Sequence, residues 1–163
     1  MKALTLWRPW PYAIFHLPAT VAKRVENRSW KPPRWLIGER IAIHAGATFD
    51  NDGADLIGAR LDELGLLAGL KKTPGHNTRV KAEGIIGTAI VAGCCHIDDG
   101  LVSGDWPVSS RVSVDAFEQT IRAWLFGPYG WLFDDVRALP EPIPCKGQRG
   151  IWDVPEELVG RLA

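Results

Sequence analysis

The sequence predicts an α+β fold, a mixed β-barrel of six or seven strands with two or three peripheral helices, on three observations. Short extended runs stopped by Gly and Pro recur along the chain, two segments carry apolar residues at helical spacing, and no regular strand-helix-strand alternation of the kind that builds a parallel sheet is present. With 163 residues, 46% of them apolar, one domain spanning 1–163 can bury a core of its own.

Residues 2–7 alternate polar and apolar as a half-buried strand does, until Arg8-Pro9-Trp10-Pro11 breaks the pattern. A short helix is expected from Tyr12 to Leu17, then an extended run from Arg24 to Trp30 stopped by Pro32-Pro33, then a strand from Glu39 to Ala45 ending at Gly46. From Asn51 to about Leu67, the spacing of Ile57, Leu61, Leu64 and Ala68 predicts a packed surface helix, with Asp52 suited to its positive end. Lys71 to Lys81 reads as a loop because Pro74, Gly75 and Asn77 punctuate it; its four cations without an acid make it a candidate second phosphate-facing element.

Gly84 to Ile97 is apolar and β-branched, one or two core strands that bend at Gly87 or Gly93. Asp115 and Glu118 form a start like a capping box for a second helix with Phe117, Ile121, Trp124 and Leu125 on its apolar face, ending at Gly127-Pro128. Tyr129–Leu139 and Gln148–Asp153 supply the last strands, separated by a stiff turn over Pro140-Glu141-Pro142-Ile143-Pro144.

Composition narrows the function. No apolar leader region and no uninterrupted apolar stretch of about 18 residues is present, so a soluble, cytoplasmic protein without a membrane partner is expected. The three cysteines, two of them adjacent, make no disulfide framework and fit a reducing compartment. The formal net charge is +0, but it is unevenly spread. Residues 1–48 hold Lys2, Arg8, Lys23, Arg24, Arg28, Lys31, Arg34 and Arg40 against only Glu26 and Glu39, a basic lobe on an acidic body that points to an anionic partner.

The strand period of two puts Arg24, Glu26, Arg28 and Trp30 on one face, opposite Val25, Asn27 and Ser29. Guanidinium for a phosphate or base edge, a carboxylate to accept from an amino group and an indole to stack suit a nucleotide. An exposed ladder of cross-strand ion pairs explains the same residues without a ligand. Strict alternation sends Lys23 to the other face unless the strand begins after it; inside the cleft it would be a candidate base, pulled down by Arg24 and Arg28 and up by Glu26. His44 ends an apolar strand beside Gly46 and is a candidate acid, or a hydrogen-bonded structural histidine.

Eight tryptophans exceed what packing needs; Trp7 and Trp10, flanking Arg8-Pro9, are candidates for stacking, whereas Trp124 and Trp152 read as core. Cys94-Cys95-His96 with Cys145 lacks metal-ligand spacing, since adjacent strand residues face opposite ways, so no metal site and no cofactor are expected. The segment Gly100 to Arg111 reads as an exposed loop that could meet a protein partner instead.

Taken together, Leu4-Thr5-Leu6-Trp7-Arg8-Pro9-Trp10, Lys23-Arg24-Val25-Glu26-Asn27-Arg28-Ser29-Trp30 and Gly38 to Gly46 with its Ile-His-Ala-Gly ending resemble the opening of an ASCH domain, the activating signal cointegrator homology family. Gly84-Ile85-Ile86-Gly87-Thr88-Ala89, Gly127-Pro128-Tyr129-Gly130-Trp131 and Pro144-Cys145-Lys146-Gly147-Gln148-Arg149-Gly150-Ile151-Trp152 are similar to its core strands and closing segment. The resemblance covers nearly the whole chain. It implies a PUA-like barrel with a cleft for RNA or a modified nucleobase, lined here by Trp7, Arg8, Trp10, Arg24, Arg28, Trp30 and Tyr129. It also implies an alternative: some family members are hydrolases that deacetylate N4-acetylcytidine with a lysine, a threonine and a glutamate, or cleave single-stranded RNA. Lys23 and Arg28 match the family's lysine and arginine, Glu26 stands where the deacetylase type has threonine, Ala19-Thr20-Val21-Ala22 lacks the family's glycine, and Glu83 is only a candidate for the glutamate. As a hydrolase the chain would use Lys23 as base or nucleophile, Glu26 as proton carrier or orienter and His44 as a reserve acid.

Overall fold

The computed structural model describes residues 1–73, 75–98 and 121–162. Strands β1 (Lys2–Arg8), β2 (Val25–Arg28), β3 (Arg40–Phe49), β4 (Gly84–His96), β5 (Tyr129–Ile143) and β6 (Ile151–Asp153) form one sheet in the order β2-β5-β4-β3-β1-β6. Among the described strands only β1 and β3 run parallel and the other pairs are antiparallel, so the expected mixed sheet is present. It curls into a half-barrel. The curl is visible in a single bond: Arg28 on the β2 edge reaches the carbonyl of Thr5 on β1 at 3.1 Å, although β5, β4 and β3 lie between them in the sheet.

Alternation divides the core as a pleated sheet requires. Leu4 and Leu6 of β1 and Ile41 and Ile43 of β3 pack with Trp131 and Phe133 inside the curl, closed by Ile14 and Leu36. Ala3, Ala42 and Ile85 face the other way, against Trp152, Val154 and Leu162 and the last helix, α5 (Glu156–Val159). A third cluster joins the helices α1 (Trp10–Phe15) and α2 (Asn51–Glu63) to Val25, Trp124 and Leu132. Among the described residues, no helix is long and apolar enough to cross a membrane.

Several boundaries differ from the sequence expectation, each for a local reason. Helix α1 begins at Trp10 rather than Tyr12, because Pro11 sits in the first turn, where its missing N–H costs nothing. The cap of α2 is Asp50, whose carboxylate accepts from Gly53 N at 2.8 Å, while Leu64 is the C-cap and is 49% exposed instead of packed. The expected loop over 71–81 is instead largely helical, with α3 (Leu67–Lys71) and α4 (His76–Lys81) anchored by Leu70 and Val80 on the core.

Strand β3 runs past Gly46 to Phe49, held by the Arg8 guanidinium, which donates to the carbonyls of Gly46 and Ala47. Gly84–His96 is one strand whose pairing with β5 shifts at Ile85/Gly87, Thr88/Ile90 and Val91/Gly93, so Gly87 and Gly93, the alternatives expected for a bend, both fall at irregularities of the ladder. The expected proline turn is part of β5. Pairing jumps from Gly87↔Ala138 to Ile85↔Ile143, so Pro140 and Pro142 fall in a bulge where no ladder N–H is needed. Residues 121–124 are helical, with Ile121 and Trp124 buried as expected; the start of that helix at Asp115 and the Gly100–Arg111 segment lie outside the described residues.

Candidate functional site

The segment before β2 determines where its charges go. Pro18 ends the α1 region, Ala22 N donates to Pro18 O, and Lys23 N donates to Ala13 O, so the strand begins only at Val25. Lys23 is thereby freed from strand alternation and swings onto the Glu26 face. Its ammonium donates to Glu26 Oε2 at 2.7 Å and lies 5.4 Å from the centre of the Trp10 ring. Lys23 is 1% exposed, one of the largest fully buried side chains in the chain.

Arg28 completes the array. Its Nε lies 3.4 Å from Glu26 Oε1 without a hydrogen bond, and Nη2 donates to Thr5 O. Two cations therefore share one carboxylate, leaving the trio with net positive charge when Lys23 is protonated. Burial pushes the Lys23 ammonium below the ordinary lysine range; the Glu26 charge opposes this without reversing it, and Arg28 adds to the depression. Lys23 is closed off from solvent and Glu26 is engaged on both oxygens, so what the trio presents at the surface is the outer guanidinium of Arg28, whose side chain is 22% exposed.

Trp10 backs this array and is itself locked, with Nε1 donating to Asp50 Oδ2 at 2.8 Å and its ring edge-on to Trp124. Phe126, 51% exposed, tilts against Trp10 with ring centroids 5.6 Å apart. Trp30, 36% exposed, stands edge-on to Trp131 at 4.7 Å, its carbonyl accepting from Trp131 Nε1. Tyr129 is paired with Arg28 across the sheet, with Lys31 5.5 Å from its ring centre. The aromatic surround is thus Trp10, Trp30, Phe126 and Tyr129.

Other expected site residues lie elsewhere. Arg24 donates to Ile14 O and is lowered in pKa by burial, which makes it a tie between β2 and α1. The Arg8 guanidinium is spent on the carbonyls of Gly46, Ala47 and Lys81 and on Glu83 at 2.9 Å. Glu83 is therefore bound to Arg8 and makes no described contact with Lys23. Trp7 is 59% exposed on β1 and makes no described ring contact or hydrogen bond to the trio.

His44 shares the face of Ala42 rather than that of Ile41 and Ile43, and packs edge-on to Trp152. Its Nε2 donates to Cys145 O at 3.1 Å, which fixes Nδ1 as a buried acceptor without a partner. A Cβ on Gly147 would come within 2.5 Å of that ring, so only glycine closes over it. His44 reaches the trio only through Thr5, its partner in the β1–β3 register, whose carbonyl receives Arg28.

Two contributors carried no usable sequence signal. Asn27, on the face opposite Glu26, clamps the 124–127 turn: Nδ2 donates to Trp124 O, and Oδ1 accepts from Phe126 N and Gly127 N. That clamp positions Phe126, which in sequence is one apolar residue after a helix. Cys94, Cys95 and Cys145 are free thiols, and burial with the neighbouring Cys95 pushes Cys94 up to about 11. Among the described residues, no three His, Cys, Asp or Glu side chains gather as metal ligands.

No protein-family model matches the chain, and no curated protein matches it. The functional reading therefore rests on the Lys23–Glu26–Arg28 array and its aromatic surround.

Proposed function

We propose that the chain is a PUA-like domain of the ASCH type that binds RNA, or a modified nucleobase, at the Lys23–Glu26–Arg28 array. The observation that carries this is the buried Lys23 ammonium, 2.7 Å from Glu26, with Arg28 on the carboxylate's other oxygen and Trp10 behind. With two cations on one carboxylate, the protonated array holds surplus positive charge in a largely buried setting. An acceptor-rich ligand removes that imbalance. A base carbonyl or a phosphate oxygen would take the outer donors of Arg28, and the exposed ring of Trp30, two residues from Arg28, would stack the base. Glu26 then acts as the orienter of both cations instead of a reader of base amino groups.

The depressed pKa of Lys23 favours a second reading, a hydrolase acting on a nucleoside amide or an RNA phosphodiester. Neutral Lys23 would take the proton of the attacking nucleophile and return it to the departing nitrogen or oxygen of the substrate, with Glu26 stabilising the ammonium formed in between. Its rate would rise with pH as the neutral fraction grows. Modified nucleosides and short RNAs, screened for binding and for turnover with wild type and Lys23→Ala, separate the two. Binding without turnover supports recognition, turnover abolished by Lys23→Ala supports the hydrolase, and neither binding nor turnover removes both.

A further inference from the structure

The helices α3 and α4 carry Lys71, Lys72, Arg79 and Lys81, and no Asp or Glu occurs between Glu63 and Glu83. All four side chains are exposed and none is in a described ion pair; the nearest following acid, Glu83, is taken by Arg8. A surface that only needs solvation ordinarily mixes signs, and the preceding helix α2 does so, with Asp52, Asp55, Asp62 and Glu63 beside Arg60.

This basic face is joined to the candidate cleft by α1. Tyr12 Oη and His76 Nδ1 are 2.9 Å apart, with their rings edge-on at 5.3 Å. The Arg79 charge acts on both Tyr12 and His16, and that of Lys71 acts on His76, so these cations gather where α4 meets α1. Trp10, against which the Lys23 ammonium rests, lies two residues before Tyr12 and so on the opposite side of α1, which puts this short helix between the basic face and the array. The apolar residues of the pair, Leu67, Leu70 and Val80, are turned onto the core, so the face presents cations with no apolar wedge for a lipid interior.

We propose that α3 and α4 form a phosphate-binding track for a single-stranded nucleic acid whose base lies against Arg28 and Trp30, the exposed end of the candidate site. The inference rests on the reading of that site for the position of the base. Lys71, Lys72 and Arg79 neutralise the phosphates that continue from it across α1, giving affinity that grows with strand length and falls with salt.

The test compares wild type with a Lys71→Gln, Lys72→Gln, Arg79→Gln variant. Labelled oligouridine is followed by fluorescence anisotropy over a salt series and free uridine by calorimetry. The variant should bind the oligomer about tenfold more weakly or worse at low salt, its log affinity against log salt flatter by about 0.7 per cation removed, about two in all. Uridine affinity should not change. Equal oligomer affinity and slope for the two proteins, no oligomer binding by wild type, or capture of phosphatidylserine vesicles in place of the oligomer would each overturn the track. Oligomer binding that needs the three cations, with no uridine binding at all, would sink the base cleft and leave the track standing.

Discussion

Glu26 is the residue on which the array depends, because it compensates two cations at once. Removing one member of a buried pair leaves the other uncompensated, at about 3–5 kcal/mol. Glu26→Ala should therefore destabilise by that amount in urea unfolding, since Lys23 is 1% exposed and has no other anionic partner among the described residues. Adding Lys23→Met should recover most of the loss, because the uncompensated ammonium is then gone. The two changes should be strongly non-additive, whereas additive costs would mean that the pair contributes nothing as a pair. Gly147 answers a different constraint: a Cβ there would collide with the His44 ring at 2.5 Å and with Thr5 Oγ1 at 2.7 Å. Gly147→Ala should cost about 1–3 kcal/mol by overpacking, read as a lower denaturation midpoint at unchanged slope.

At the scale of elements, Asp50 couples two helices. One carboxylate oxygen caps α2 through Gly53 N and the other holds the Trp10 indole on α1. Asp50→Ala should cost roughly 1 kcal/mol for the cap. It should also shift tryptophan emission as Trp10 loosens; a stability loss with unchanged emission would separate the two roles.

Strand β1 was legible from its alternation and β3 from its apolar run ending at Gly46, although β3 is buried on both faces; the placing of Glu26 and Arg28 on one face followed from period two. Lys23 was legible only as a condition. Its position depends on the Pro18 turn and the Lys23 N–Ala13 O bond, which delay the strand by tertiary contact. Helices α3 and α4 were hidden by Gly75, the left-handed N-cap of α4, and by Asn77, a poor helix former within its first turn, which read together in sequence as a loop. Pro140 and Pro142 misled in the opposite sense, because a bulge lets proline remain within a strand. Phe126 could not be found without knowing that Asn27 clamps its turn.

For the whole molecule, burial lowers the pKa of His16, His44 and His76 alike, aided by Arg79 at His16 and by Lys71 at His76. The sign follows directly. The unfolded chain binds protons on these residues more readily than the folded one. Their contribution is complete above the ordinary histidine value of about 6.5 and is lost as pH falls through it towards the depressed folded values. Unfolding free energy measured in urea should therefore drop on going from pH 7 to pH 5, and His44→Gln should reduce that drop. An unchanged pH dependence in the variant would remove His44 from the account.

The curl that lets Arg28 on β2 reach Thr5 on β1 anchors the Arg28 end of the array, whose other contacts are made within residues 23–28. The array's proposed role as a base-binding cleft is tested most directly by calorimetric titration of one nucleoside or short RNA into wild type and into an Arg28→Gln, Trp30→Ala double variant of matched thermal stability. The account predicts binding by wild type and a loss of about tenfold or more in the double variant, the cost of one stacked base and one charge-assisted hydrogen bond. Equal affinity in the two proteins would contradict it.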